Sequence, residues 1–600
     1  MMAFSACLTL CMLALGARGL GELLGLLWRS YLLMPLLNLL PLLLPMLLLY
    51  FLTANAALSA SCIGLLGIIM AIVNRVKVQM RGDPLLYRDL SLIDELMGIA
   101  GGVGGVWLFL AMLIVAALIG MAVSLCVKVK TKGLCLRERV AGVLVCAITM
   151  AGCGYTLYRS NAVYNALPVM GSFYNLTNVH ASKGNLYCFF YDLLTNQTRK
   201  PEGYDSQVVS QVIAVLEEEN STDSIPAAQP HIIMVMGESF STLSDSETLD
   251  FPQGQNPLET FHALGAKGIE GTLVVPGRGG GTADTEFDVL TGGVTRYLRT
   301  APYAYRLIAR PTEALPSMLK KAGYQTFALH PGFRWFYNRQ NVYPYLGFEE
   351  AVFEDSFPRE AYEGSFITEK ATFDRFLEMF EARRTDDPQA PIFAFCLTIQ
   401  NHYAYFNRFL TEGEYNFASA HNFSDTDKNN LSNYFQGMRY ADEQLARLAA
   451  YLEALDEPAV LVYFGDHLPA MDESIYDALI PGADAPEGSL TLETRLYRVP
   501  FLIWQNSAAQ KDIDLLARAN AAAMPEDGII SSNYLGAYVL ELLGYEGLSP
   551  FFAHVNQVRA DYPVLLEQLS FPRDGKPVEE EAPVRLAFYR HWMYYRTMEK

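Results

Sequence analysis

Three apolar runs in this chain stop at residues that can bind a cation or move a proton. IIMVMG (232–237) runs into Gly237, Glu238 and Ser239, IFAFCLTI (392–399) into Gln400, Asn401 and His402, and AVLVYFG (459–465) into Gly465, Asp466 and His467. Glu238, Asp466 and His467 form a mixed oxygen and nitrogen donor set that suits a hard or intermediate divalent cation, Mn²⁺ or Mg²⁺, better than a thiolate-seeking one. A fourth stretch, PGRGGGTADTEFDVLTGG (276–293), sets Gly279, Gly280 and Gly281 ahead of Thr282, which opens an apparent helix. A threonine there is an ordinary helix cap, supported by Thr285 or Glu286. The other reading is chemical: a hydroxyl ionised beside a cation, backed by N–H groups that welcome an anion, becomes a nucleophile toward phosphorus.

The elements that must position these residues are legible around them. Apolar runs of strand length, the three above and QTFALH (325–330), alternate with helical patterns at 365–383 and 433–455. That alternation predicts an α/β sheet, whose ligands gather at the carboxyl ends of its strands. The domain is expected over 230–600. Ahead of it, 160–229 reads as a juxtamembrane connector with an amphipathic helix near Ser206 to Glu219 and a break at NSTDSIPAAQ.

The first 159 residues are a different object. The whole chain is 51% hydrophobic and 18% charged with a mean hydropathy of +0.15, high for an ordinary soluble enzyme. Residues 1–160 carry a net charge of +6 and the remainder −25, so nothing offers the basic stripe that nucleic acid requires. Ser30 to Asn74 holds no charged residue over 45 positions, room for two spans at 31–52 and 56–74 with a tight turn near Thr53, Ala54 and Asn55. Leu96 to Val127, Val140 to Tyr158 and Met1 to Ala17 supply three more, giving five in all. The cluster Lys128, Lys130, Lys132, Arg137 and Arg139 assigns its loop to the cytoplasm, which leaves the region after Tyr158 outside the cell. Seven of the nine cysteines fall in this part, and none forms a CxxC pair, so a metal site must use other ligands. No G-x-x-x-x-G-K-[ST] loop is present for a nucleotide.

Taken in order, GES, GGGTADTEF, a His followed by FYNR, NHY and GDH resemble the lipoteichoic acid synthase family, membrane-anchored phosphoglycerol transferases of the alkaline phosphatase/sulfatase superfamily. The resemblance implies an α-helical membrane domain of about five spans followed by an extracellular, sulfatase-like α/β catalytic domain. It implies Glu238, Thr282, Asp466 and His467 as ligands of one Mn²⁺, with Mg²⁺ as the alternative, and Thr282 as the nucleophile. It implies a phosphoglycerol pocket of His330, Tyr337, Arg339 and His402. The expected activity moves glycerol phosphate from phosphatidylglycerol to a glycolipid or polyglycerol-phosphate acceptor in the cell wall; a phosphoethanolamine or glycan-directed transferase is the alternative. Three positions depart from the family pattern: Tyr337 stands for a Trp, Gly281 for a Lys, and Leu468-Pro469 follows Asp466-His467.

Overall fold

A computed structural model describes residues 1–16, 20–30, 33–81, 84–90, 133–170, 176–195, 200–219, 225–298, 303–409, 415–482, 484–567, 569–573, 578–579 and 584–599. The chain divides into two compact units, the first Met1–Gln197 with Trp335–Asn338, the second Thr198–Arg334 with Arg339–Lys600.

In the first unit, three helices are long and apolar enough to cross a membrane: Leu33–Thr53, Ala56–Gln79 and Leu136–Thr156. The expected turn falls where the composition put it, with Ala54 at φ 54° and Asn55 Oδ1 accepting the Leu58 N–H at 3.1 Å as a cap. Of the five expected spans, these three are long and apolar enough among the described residues. Met2–Gly16 is helical but only 15 residues long, too short by itself for a hydrocarbon core of roughly 30 Å. The expected span within 96–127 lies outside the described residues. Arg139 lies inside Leu136–Thr156, where its Nε donates to the Phe51 carbonyl at 3.1 Å and its Nη2 to that of Leu52. It thereby satisfies carbonyls left open at the end of Leu33–Thr53 and ties these two helices together. Val140, Leu144, Val145 and Ile148 of the same helix are exposed apolar side chains. Asn38, buried in the first long helix, donates to the Lys183 carbonyl at 2.9 Å and accepts the Tyr187 N–H at 3.0 Å, so the segment through residue 195 packs as part of this unit.

The second unit is built on an eight-stranded mixed sheet. In chain order its strands are β1 His231–Gly237, β2 Ile269–Val274, β3 Gln325–Leu329, β4 Glu350–Val352, β5 Ile392–Leu397, β6 Ala459–Gly465, β7 Arg498–Gln505 and β8 Ile529–Ser531. They lie in the order β8-β2-β7-β6-β1-β5-β3-β4. The four runs expected as strands are β1, β3, β5 and β6, and they pair parallel as one central block. Every residue of β1, β5 and β6 is buried, because helices cover both faces of a parallel sheet. Ile233, Val235, Leu461 and Tyr463 join one core cluster with Phe373, Phe376 and Phe380 of helix Glu369–Asp386 and Leu431, Phe435, Leu445 and Leu452 of helix Asp425–Glu453. Those two helices are the ones expected at 365–383 and 433–455, each started by a side-chain cap, Thr368 for the Ala371 N–H and Ser424 for that of Asp427.

Parallel pairing puts the ends of β1, β5, β3 and β6 along one edge, the edge at which the chemical residues emerge. Gly465 closes β6 there, and a Cβ added to it would collide with the Phe240 carbonyl oxygen. Gly465→Ala is therefore expected to lower stability by about 1–3 kcal/mol, read as a drop of several degrees in the unfolding temperature of the purified full-length protein.

Candidate active site

Glu238 and Asp466 are the first residues past adjacent parallel strands, β1 and β6, whose final glycines Gly237 and Gly465 pair in register. Ser239, at φ 53°, turns the chain so that its N–H donates to Asp466 Oδ1 at 2.7 Å. The His467 N–H donates to the same oxygen at 2.8 Å. With Oδ1 held by two backbone donors, Asp466 Oδ2 is aimed at the Thr282 hydroxyl, 2.8 Å away, and at His467 Nε2, 3.1 Å away. His467 Nδ1 sits 2.8 Å from the Leu468 carbonyl, so Nδ1 carries the proton and Nε2 presents its lone pair to the cluster.

Glu238 completes the group, its Oε1 3.9 Å from His467 Nε2. Ligand atoms of Glu238, Asp466 and His467 lie within 4.8 Å of one another, and all three residues are buried. Two carboxylates and an imidazole packed this closely out of water fit a divalent cation with oxygen and nitrogen preferences. Burial, reinforced by the charge of Asp466, pushes Glu238 up to about 8.

Thr282 reaches this cluster from helix Thr282–Thr291. The cap of that helix is Gly281, at φ 98°, and Thr282 is its first helical residue. Of the two readings open for this threonine, the cap is not the one it takes: its hydroxyl donates to a carboxylate and lies 3.4 Å from His467 Nε2. Thr285, one turn on, donates to the Asp466 carbonyl at 2.7 Å and fixes the helix against β6. The left-handed backbone at Gly281 also gives a physical reason for the absence of a lysine there, since any side chain is strained at that φ.

A second buried group lies beside the first. Glu286, four residues after Thr282, accepts from Arg339 Nε at 2.8 Å and from the hydroxyls of Tyr305 and Tyr343, each at 2.9 Å. Arg339 Nη1 donates toward His330 Nε2 at 3.3 Å. Burial and the Arg339 charge hold His330 well below its ordinary range, so it is a neutral acceptor. His402 is half-buried past β5, its Nδ1 2.8 Å from the Tyr403 carbonyl and its ring 5.3 Å from that of Phe366. Tyr337 groups with the first unit, in Trp335–Asn338, at φ 55°. The structure thus brings Glu238, Thr282, Asp466 and His467 together and links His330 to Arg339. Glu286 as the partner of Arg339, and Tyr305 and Tyr343 around it, went unread in the sequence; the i+4 spacing of Glu286 from Thr282 was the available signal.

A buried hydroxyl held on an Asp, His and Glu cluster at the carboxyl edge of an α/β sheet is the equipment of an enzyme that opens phosphate or sulfate esters with a metal's help. The family model "Sulfatase" matches residues 230–545, and the chain belongs to that family. It is 25% identical over 448 residues, 71% of the chain and 62% of the relative, to a putative cyclic beta-1,2-glucan modification protein of Rhizobium meliloti. It is 28% identical over 162 residues to lipoteichoic acid synthase 1 of Bacillus subtilis, covering 26% of this chain and 23% of that one. The chain thus spans less than two thirds of either curated relative. In fold it is similar to the Streptococcus pyogenes phosphoglycerol transferase GacH, solved with sn-glycerol-1-phosphate, at a TM-score of 0.50 and 20% identity over 66% of this chain and 94% of that one.

Because Glu238 holds its proton up to about 8 when folded but only to about 4.5 when unfolded, its contribution to stability falls as pH rises between those values. A cation at the cluster must displace that proton. Added Mn²⁺ is therefore expected to raise the unfolding temperature more at pH 8 than at pH 6, and Asp466→Asn to abolish the effect at both, measured by differential scanning fluorimetry.

Proposed function

We propose that this protein is a membrane-anchored phosphoglycerol transferase, taking glycerol phosphate from phosphatidylglycerol and passing it to a glycolipid or polyglycerol-phosphate acceptor outside the cell. The observation that carries this reading is the hydrogen bond from Thr282 to Asp466 Oδ2, which turns a residue at a helix start away from capping and into the cluster. Glu238, Thr282, Asp466 and His467 would hold one Mn²⁺, which when bound lowers the pKa of the threonine hydroxyl and neutralises charge on phosphate.

In the first half-reaction Thr282 Oγ1 forms a bond to phosphorus and the bond from phosphorus to the diacylglycerol oxygen breaks. The proton lost by Thr282 is balanced by the one gained by diacylglycerol, and His402 Nε2 is the relay, since His330 Nε2 is already occupied by Arg339. In the second, the acceptor hydroxyl gives its proton to His402, attacks the glycerophosphoryl-threonine and releases Thr282. Glu286, with its three donors, keeps the nucleophile helix and Arg339 in fixed relation during both. A lipid donor explains why such a domain shares a chain with apolar helices: donor and site are confined to the same surface, which raises their effective concentration.

A glycan acceptor is the second reading, favoured by the name of the relative matched over 71% of the chain. Full-length protein with Mn²⁺ is expected to release diacylglycerol from labelled phosphatidylglycerol and not from phosphatidylethanolamine. Thr282→Ala should cut the rate at least a thousandfold, of the order seen when a catalytic nucleophile is removed. Release from phosphatidylethanolamine instead would make this a phosphoethanolamine transferase.

A further inference from the structure

Arg339 is the arginine the motif nominates for phosphate, yet its Nε and Nη2 are both committed to Glu286 in a buried pair. A second arginine is differently placed. Arg408 Nη1 donates to the His402 carbonyl and, at 3.4 Å, to that of Ala404, and its Nη2 donates to the carbonyl of Gln400. Its guanidinium stacks 4.5 Å from the centre of the Phe366 ring, against which His402 also packs. No carboxylate pairs with it among the described residues, while Glu238 and Glu363 lie within electrostatic reach.

We propose that Arg408 is the phosphate-binding cation of this site and at the same time positions the loop that carries His402. The arithmetic of its donors supports the first part. A guanidinium has five N–H groups; three are used on loop carbonyls, which leaves Nε–H and one Nη2–H side by side, the fork that grips a phosphate or carboxylate through two parallel bonds. The second part follows from the same bonds, because carbonyls of residues 400, 402 and 404 fix the loop on both sides of the imidazole. A phosphodiester carries its charge on oxygens that one cation at the Glu238 and Asp466 cluster does not all reach, so a second positive group beside that cluster stabilises it further, and Gly281 supplies none.

The inference rests on the phosphoryl-transfer reading and can be tested apart from its lipid donor. Titration of sn-glycerol 1-phosphate into the Mn²⁺-loaded full-length protein is expected to show binding weakened at least tenfold in Arg408→Ala, with Arg408→Lys between that and the wild type. Methylguanidinium should restore much of the loss in Arg408→Ala, and the unfolding temperature should stay near that of the wild type. No binding by the wild type, unchanged binding in Arg408→Ala, or a loss that methylguanidinium leaves untouched would overturn the proposal. Wild-type turnover of phosphatidylglycerol with binding indifferent to Arg408 would sink this inference alone. Arg408-dependent binding without any lipid turnover would instead sink the choice of donor.

Discussion

The site depends on how the carboxylate of Asp466 is held. One oxygen takes the backbone N–H groups of Ser239 and His467, which come from the ends of two adjacent strands; the other faces the Thr282 hydroxyl and the His467 imidazole. A carboxylate anchored on one side by backbone cannot swing, so its second oxygen marks a fixed point toward which helix, imidazole and Glu238 are all oriented. The strained backbone at Ser239 and the left-handed turn at Gly281 are what let the two segments approach that point.

Around it, buried polar side chains form two neighbouring groups of opposite consequence. The cluster of Glu238, Asp466 and His467 brings two carboxyl groups together out of water, an arrangement that a proton on Glu238 relieves and that a divalent cation would relieve in its place. The Glu286 group is self-sufficient: its carboxylate is matched by a guanidinium and two phenol hydroxyls, all buried, so it serves as a rigid brace on the helix Thr282–Thr291. The far end of that helix is braced as well, by Tyr589 donating to the Gly292 carbonyl at 2.6 Å and Arg596 to that of Thr291 at 3.2 Å, both from the last helix, Val584–Met598.

How much of this could be read from sequence follows from the physics of each element. The four parallel strands were legible because strands buried on both faces are continuous apolar runs, and the residues that end them fell at one edge. The other four strands escaped: Ile269–Val274 holds Gly271 and is only partly buried, Glu350–Val352 and Ile529–Ser531 are three residues each, and Arg498–Gln505 contains Pro500. Where the Thr282 hydroxyl points could not be decided locally, since a threonine at a helix start can cap it or turn away from it; only the approach of Asp466 at the end of β6, 184 residues later in the chain, decides it. For the same reason the motif nominates Arg339, whereas its pairing with Glu286 and the placement of Arg408 are products of tertiary packing.

The central claim is that Thr282 carries the transferred group. Full-length protein mixed with phosphatidylglycerol and Mn²⁺, quenched in acid before turnover is complete and digested, should yield a peptide containing Thr282 heavier by one glycerophosphoryl group, and addition of acceptor should discharge it. A peptide left unmodified while diacylglycerol is being released, or the group found on another residue, would contradict the account.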